Sequence, residues 1–315
     1  MSSFKRVKGL LIVLAFLLLA LPAFAWRKTW SKNKLFFDGI LGIEAIEGFG
    51  PTRLLVWGKN YEKAEARVVL AEWQKNKNAF KIIWQSENFY ARGSNLMCAV
   101  GNFSGDGLEV VILTDNRWGL YNIEADGLKE KVTNKSLSDI WEVAAGDTDG
   151  DGISELILTS VAKLHSNTID KKITVYKFTE GNFVKQLETE GLGNIRAITT
   201  CDIDNDGLCE IVYEYGLAHK QGKVVILKDY QPLLNVDLRR YPIYALAAYE
   251  DILLVGDESG SINLYKVKND SLELVDNSVS VGWGLVDTVE GDFFGKGKKQ
   301  ILVVSSPAAF HILED

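Results

Sequence analysis

GDTDGDGISELIL, residues 146–158, combines three aspartates at alternate positions, a glycine, a glutamate and a following apolar run. Aspartates in this pattern can direct several oxygen ligands at one cation, as in the helix–loop–helix calcium site. That site needs a helix on each side of its loop and a final acidic ligand about twelve positions in. Here the flanking stretches, IWEVAAGD and ELILTS, have strand composition, and the glutamate comes too early. The segment therefore predicts the turn of a β-hairpin.

Related stretches recur along the chain. CDIDNDGLCEIVY (201–213), GNFSGDGLEVVIL (101–113) and GDFFGKGKKQILV (291–303) keep the loop, while 40–58 and 243–267 keep only the apolar rhythm around it. Each unit contains about four short runs rich in valine, isoleucine and aromatic residues, bounded by glycine, asparagine or aspartate. Four short strands in about 40–55 residues are typical of a propeller blade.

Six units begin near residues 40, 96, 139, 194, 243 and 283, so we expect an all-β, single β-propeller of six four-stranded blades over residues 26–315. The last unit contains only three strands. The N-terminal stretch TWSKNKLFFDG (29–39) is expected to supply the fourth, which would close the ring and remove an exposed edge. A seven-bladed ring remains the alternative.

The loops resemble those of FG-GAP (VCBS-type) repeats, which form the β-propeller of integrin α chains and occur in many exported bacterial proteins. GDTDGDGISELIL and CDIDNDGLCEIVY carry the resemblance, and the copies at 101–113 and 291–303 follow it more loosely. The resemblance covers residues 26–315 and implies a calcium-binding propeller. Repeats of this kind specify a fold better than a function.

The two strongest loops predict two calcium sites. Four carboxylates in one tight turn would repel one another without a cation, and calcium accepts more protein oxygens than magnesium does. An acidic turn solvated by water is the alternative. The expected ligands are Asp147, Asp149, Asp151, the carbonyl of Ile153 and Glu155 in the first loop, and Asp202, Asp204, Asp206, the carbonyl of Leu208 and Glu210 in the second.

The other two loops are poorer. GNFSGDG offers Asn102, Ser104 and Asp106, and Val110 stands where the first loop has its glutamate. In GDFFGKG, Lys296 replaces an aspartate, and we expect its ammonium to pair with Asp292 in place of an ion.

The N-terminus has the features of an export signal. Basic residues precede an apolar stretch, and Ala23-Phe24-Ala25 fits a cleavage site, which predicts a signal peptide over residues 1–25 and a secreted or extracytoplasmic protein. An uncleaved membrane anchor is the alternative. The net charge of −7, without a basic cluster, argues against nucleic-acid partners. We expect an extracellular or cell-surface protein or a polysaccharide as partner.

Three cysteines are too few for a disulfide scaffold. A hairpin would bring Cys201 and Cys209 near each other, so a disulfide and two free thiols both remain open, with Cys98 unpaired.

No catalytic motif accompanies the three histidines, His165, His219 and His311. The sequence therefore favours a non-enzymatic binding or scaffold domain. The alternatives are a carbohydrate-active lyase or hydrolase that uses the central funnel, and a purely structural subunit.

The connections between blades should lie at the end of the ring opposite the calcium turns. They are rich in aromatic and arginine side chains, which dominate binding hot spots. Trp141 and Tyr244 are expected to cap the core. The candidate ligand face comprises Phe89, Tyr90, Arg92, Arg196, Arg239, Tyr241 and Trp283.

Overall fold

The structure is a computed structural model that describes residues 27–90, 95–135, 137, 139–164, 169–216, 222–238, 243–249, 252–257, 259–268, 271–282, 284–306 and 308–314. The predicted signal peptide, residues 1–25, lies outside this range. Every regular element in the described ranges is a strand. These residues contain no helix that is long and apolar enough to span a membrane.

The strands form six antiparallel sheets of four, in the order expected for a propeller. The N-terminal strand is β1 (Arg27–Asn33). Blade 1 contains β2 (Gly39–Ile46), β3 (Arg53–Asn60), β4 (Glu65–Gln74) and β5 (Ala79–Gln85); blade 2 contains β6 (Leu96–Gly101), β7 (Glu109–Thr114), β8 (Arg117–Glu124) and β9 (Gly127–Lys135). Blade 3 contains β10 (Glu142–Gly146), β11 (Glu155–Leu164), β12 (Ile169–Thr179) and β13 (Asn182–Glu188); blade 4 contains β14 (Ile195–Cys201), β15 (Glu210–Tyr215), β16 (Lys223–Lys228) and β17 (Gln231–Asp237). Blade 5 contains β18 (Ile243–Tyr249), β19 (Ile252–Asp257), β20 (Ser261–Lys268) and β21 (Ser271–Ser280); blade 6 contains β22 (Leu285–Gly291), β23 (Gln300–Ser305) and β24 (Ala309–Glu314).

The N-terminal strand completes blade 6, as predicted. β1 pairs antiparallel with β24, with Trp30 opposite Ile312. The indole of Trp30 also packs edge-on against Trp73 of blade 1, with ring centroids 5.4 Å apart. The two ends of the chain therefore close one blade, and the six-blade prediction is confirmed.

The core lies between neighbouring blades. Second strands such as β7 and β23 are buried along their whole length, because each sheet is covered on both faces, and this explains their continuous apolar sequences. Between blades 2 and 3, Trp118 packs against Phe183 with ring centroids 4.8 Å apart. Fourth strands such as β9 are mostly exposed and charged.

The first strands of all six blades surround a central channel with a volume of about 280 Å³. The turns between first and second strands lie at one end of the ring. The connections between blades lie at the other end, as the sequence predicts for antiparallel four-stranded blades.

Candidate metal centres

The two strong loops are turns between the first and second strands of blades 3 and 4. Their glutamates occupy a fixed place in the strand register, opposite the last residue of the first strand. The same position holds a glutamate or glutamine in four blades, through the pairs Gly101–Glu109, Gly146–Glu155, Cys201–Glu210 and Gly291–Gln300.

In the first turn, Asp147 shapes the backbone. Its Oδ1 accepts a hydrogen bond from the backbone N–H of Gly150 at 2.7 Å, and its Oδ2 accepts one from Gly152 at 2.8 Å. Gly152 has a φ of +84°, a conformation that glycine adopts without strain. The first aspartate is thus a turn-forming residue as well as a candidate ligand.

Glu155, the first residue of β11, lies at the base of the turn. Only 1% of the residue is exposed, and its Oε2 accepts hydrogen bonds from the backbone N–H and the hydroxyl of Thr148, both at 2.8 Å. Its Oε1 is buried without a hydrogen-bond partner among the described residues. Burial raises the pKa of Glu155 above its ordinary value. Carboxylate oxygens of Asp147, Asp149 and Glu155 all lie within 4.8 Å of one another.

The second turn has the same construction. Asp202 accepts hydrogen bonds at 2.9 Å from the backbone N–H groups of Asp206 and Gly207. Glu210 is 1% exposed; its Oε2 accepts from the Ile203 N–H at 2.9 Å, and its Oε1 has no hydrogen-bond partner in the described part of the chain. The three atoms within 4.8 Å of one another here belong to Asp202, Asp204 and Asp206.

Each turn also holds a lysine that the sequence interpretation missed. The Nζ of Lys177 lies 2.5 Å from Asp149, 2.7 Å from Asp151 and 3.4 Å from Oε1 of Glu155. Lys177 stands on β12 one residue beyond the Leu156–Tyr176 pair, which places it across from Glu155.

The second turn repeats this arrangement with a lysine on the third strand of blade 4. The Nζ of Lys228 lies 2.5 Å from Asp204, 2.6 Å from Asp206 and 3.5 Å from Glu210. The hydrogen bonds to Asp204 and then Asp206 raise the pKa of Lys228 above its ordinary value.

These residues fit a calcium ion. Four carboxylates against one ammonium leave each turn with a formal charge of −3. Calcium binds about six to eight oxygens at about 2.3–2.6 Å, so ligands on opposite sides of the ion are about 4.8 Å apart, which the clustered oxygens satisfy. The buried Oε1 atoms of Glu155 and Glu210 accept no hydrogen bond in the described part of the chain, and each lies near one lysine ammonium, at 3.4 and 3.5 Å, whose place an ion in the turn would take. The lysine ammonium would have to move aside. The backbone N–H groups of Ile153 and Leu208 donate to Asp151 and Asp206, so these residues also contribute to the turns.

In the turn of blade 2, the residue at the glutamate position differs from the one expected from the sequence. Val110 is buried in β7, and Glu109 instead takes the glutamate position, since this loop is one residue shorter. The Nζ of Lys131, from the fourth strand, lies 2.7 Å from Asp106 and 2.9 Å from Glu109, and 2.7 Å from the Ser104 hydroxyl. One ammonium therefore contacts both carboxylates of this turn.

In blade 6, Phe293 and Phe294 stand in place of Thr148 and Asp149, and both are buried. The backbone N–H of Lys296 donates to Asp292 at 2.9 Å, whereas its ammonium lies 5.0 Å from the Phe294 ring centroid. The predicted pairing of the Lys296 ammonium with Asp292 is therefore wrong, since the backbone N–H of Lys296 makes the contact with Asp292.

Hydrogen bonds join the turns of neighbouring blades. Backbone N–H groups donate to backbone carbonyls from Ser154 to Asn102 and from Cys209 to Asp147, both at 2.8 Å, and from Thr52 to Asp292 at 3.0 Å. The turn of one blade is therefore part of the contact with the next blade.

The proposed ligand face is only partly described. Arg92, Arg239, Tyr241 and Trp283 lie outside the described residues. Tyr90 is 40% exposed in the connection after β5, and the Phe89 ring lies 5.4 Å from the Arg117 guanidinium carbon. Arg196 is already paired with the fully buried Glu214, with contacts of 2.6 and 3.1 Å. Trp141 is 39% exposed, with the Lys171 ammonium 4.7 Å from its ring, and Tyr244 borders the central channel.

The cysteines are free thiols. Cys201 packs in the core between blades 4 and 5, whereas the Cβ of Cys209 faces Gly146 of blade 3. Cys201 pairs with Glu210, one residue beyond Cys209, so the two cysteines lie on opposite faces of the sheet. The structure therefore shows the free-thiol alternative.

His311 is buried between two serines in blade 6. Its Nδ1 lies 3.1 Å from the Ser31 hydroxyl and its Nε2 lies 2.9 Å from the Ser305 hydroxyl. Burial, with a smaller contribution from Lys28, lowers the pKa of His311 from 6.5 to about 4. His165 and His219 lie outside the described residues.

No protein-family model matches the chain, and a search of curated proteins finds no match. The likeness to FG-GAP repeats therefore rests on the loop motifs alone.

Proposed function

We propose that this chain is an exported, calcium-binding β-propeller of the FG-GAP type that serves as a non-enzymatic binding or scaffold domain for a protein or carbohydrate outside the cell. One observation carries the calcium assignment. Glu155 and Glu210 each direct a buried oxygen, which accepts no hydrogen bond from the described residues, toward a cluster of aspartates in an equivalent turn of adjacent blades, where the carboxylates outnumber the single lysine ammonium.

The position of the turns suggests what calcium does. Asp147 is both a candidate ligand and the acceptor of the hydrogen bond from blade 4 at 2.8 Å. The Thr148 hydroxyl, which contacts Glu155, also lies 2.8 Å from the Tyr230 hydroxyl of blade 4. An ion in this turn would hold the first hairpin of blade 3 and its contact with blade 4 together. Calcium would thus stiffen the ring, and a rigid ring is a good support for binding loops.

Of the two enzyme alternatives, the lyase has less support than the binding role. A lyase that acts on acidic sugars needs cationic side chains beside its substrate, but the described residues that line the channel include neither lysine, arginine nor histidine. Their ionisable groups include Glu44, Glu142, Asp287 and Glu290. This lining offers no cationic side chain to a polyuronate, whereas Tyr90 and Trp141, on the connections between blades, are exposed.

The test is a binding screen of the purified chain against a glycan array and extracellular protein extracts, with calcium and with EDTA. We expect specific capture in calcium that weakens in EDTA and in the Asp149→Ala, Asp204→Ala double variant. Turnover of a polysaccharide by the chain, abolished by Glu142→Gln, would contradict the non-enzymatic assignment. Equal capture with and without calcium would contradict the scaffold role of the ion.

A further inference from the structure

The central channel is a second candidate site, separate from the calcium turns. Its wall is made by the first strands of all six blades, and its volume is about 280 Å³. Apolar side chains such as Leu41, Met97 and Val286 contribute to the wall, but most of the surface that faces the channel is polar.

The polar part of the wall is acidic. Glu44, Glu142, Asp287 and Glu290 border the channel, and Glu290 is paired with Lys299 at 2.7 Å. Asp287 accepts backbone hydrogen bonds from Ile43 at 2.9 Å and Thr288 at 2.8 Å, which fix its position but add no formal positive charge. Three carboxyl groups thus face a common space.

Among the described residues, Lys171 pairs with one of these three groups, Glu142, and its ammonium also has other partners. Lys171 lies 3.9 Å from Glu142, but its ammonium donates to the Ile195 carbonyl and contacts the Trp141 ring. Glu142 also shares its surroundings with Glu214, which Arg196 neutralises.

A second observation points to a ligand in this space. Thr288, next to Asp287, borders the channel and is 4% exposed, and its hydroxyl has no hydrogen-bond partner among the described residues. The indole N–H of Trp57, on the same wall, is also unpaired within the described ranges. Buried polar groups are nearly always satisfied, so unpaired ones beside a cavity mark a place where another molecule completes the hydrogen bonds.

Burial in the channel wall raises the pKa values of all three carboxyl groups. Burial, followed by the charge of Asp287, raises the pKa of Glu44 to about 8. Burial also raises the pKa of Glu142 to about 8, against the opposing effect of Lys171, and that of Asp287 to about 7. A cation in the channel would favour the ionised form of all three groups.

The geometry selects an organic cation over a metal ion. Two clusters of three acidic side chains in the described residues have oxygens close enough to share one ion. These clusters are the turns of blades 3 and 4. Glu142 and Asp287 belong to blades 3 and 6, which are opposite each other in a ring of six. A linear molecule with a positive charge at each end matches acidic groups on opposite sides of the channel.

We propose that the central channel binds a linear aliphatic diamine, with one ammonium group directed to Asp287 and Glu44 and the other to Glu142. The Thr288 hydroxyl accepts a hydrogen bond from the first ammonium group. The methylene chain spans the channel between the two acidic positions.

The experiment is calorimetric titration of the chain with putrescine in EDTA, with 1,4-butanediol as the neutral molecule of equal length. We expect one putrescine per chain, and no heat from the diol. Asp287→Asn and Glu142→Gln should each weaken putrescine binding at least tenfold. The asparagine keeps an oxygen that can accept the hydrogen bond from the Ile43 N–H. The matched control is Glu188→Gln, on the outer strand β13, which should bind like wild type.

Circular dichroism and melting curves identify variants that fail to fold, and Glu44→Gln then replaces such a variant in the comparison. Equal binding of the diol, unchanged affinity in both channel variants, or no putrescine binding to the folded wild-type chain would each overturn the proposal. Loss of the putrescine site in Asp149→Ala would also overturn it, because the ligand would then occupy a calcium turn.

Discussion

The Lys177→Met substitution distinguishes the effects of the two cations that the first turn can hold, the lysine ammonium and a calcium ion. The lysine ammonium lies 2.5 Å from Asp149, 2.7 Å from Asp151 and 3.4 Å from Glu155. Methionine keeps the aliphatic volume on β12 but removes the charge. The substitution should therefore destabilise the chain in EDTA and strengthen calcium binding.

The size of the first effect follows from burial. The two contacts with exposed aspartates contribute at most about 1 kcal/mol each. Leaving the buried Glu155 without its nearest cation costs about 1–3 kcal/mol. We expect the free energy of unfolding in EDTA to fall by about 2–3 kcal/mol, or several degrees in Tm.

The second effect follows from repulsion between the two cations. If calcium enters and the ammonium moves to about 7 Å, the two charges repel by about 1.2 kcal/mol at the dielectric constant of water. Removing the lysine should then raise calcium affinity by about tenfold. Calcium should restore the stability of Lys177→Met to at least the wild-type value.

The assay is thermal unfolding and calorimetric calcium titration of both proteins. Lys185→Met is the control, since Lys185 lies on the adjacent strand β13 and contacts Glu188 at 3.3 Å on the surface. The reasoning is refuted if Lys177→Met melts like wild type in EDTA, or if its calcium affinity is unchanged or lower.

Three further outcomes are expected. Asp149→Ala and Asp204→Ala should each remove about half of the stabilisation by calcium, which is about 2.7 kcal/mol per site at 100 times the Kd. Full retention of that stabilisation in either variant would contradict the ligand assignment. Lys296→Ala should leave the number of bound calcium ions unchanged. The pKa of His311 falls from 6.5 to about 4 on folding. Its contribution to the free energy of unfolding, about 3 kcal/mol, is therefore fully present above pH 6.5 and is lost as the pH falls toward 4. Urea unfolding between pH 7 and pH 4 should show this loss in wild type and not in His311→Gln; parallel curves would disprove it. All three cysteines should react with a thiol reagent in denatured, unreduced protein, and a single reactive thiol would show that a disulfide exists.

The repeat spacing was sufficient to predict the six blades and the closing N-terminal strand. Each unit carries its own turn and its own second strand, so the information is local in sequence. The turn position of Asp147 and the place of Glu155 could be predicted for the same reason.

Contacts that depend on strand register could not be predicted in the same way. Lys177 reaches its turn because β12 aligns it opposite Glu155, and the length of the hairpin between them sets that alignment. In blade 2, a loop shorter by one residue moves the glutamate from position 110 to Glu109. The channel combines Glu142 and Asp287, which are distant in sequence and meet only when the ring closes.

The most direct test of the calcium assignment is the number of ions bound per chain, measured by equilibrium dialysis at saturating calcium. We expect two in wild type, one in Asp149→Ala or Asp204→Ala, and none in the double variant. Absence of bound calcium in wild type, or two ions retained in the double variant, would contradict the assignment of the two turns as calcium sites.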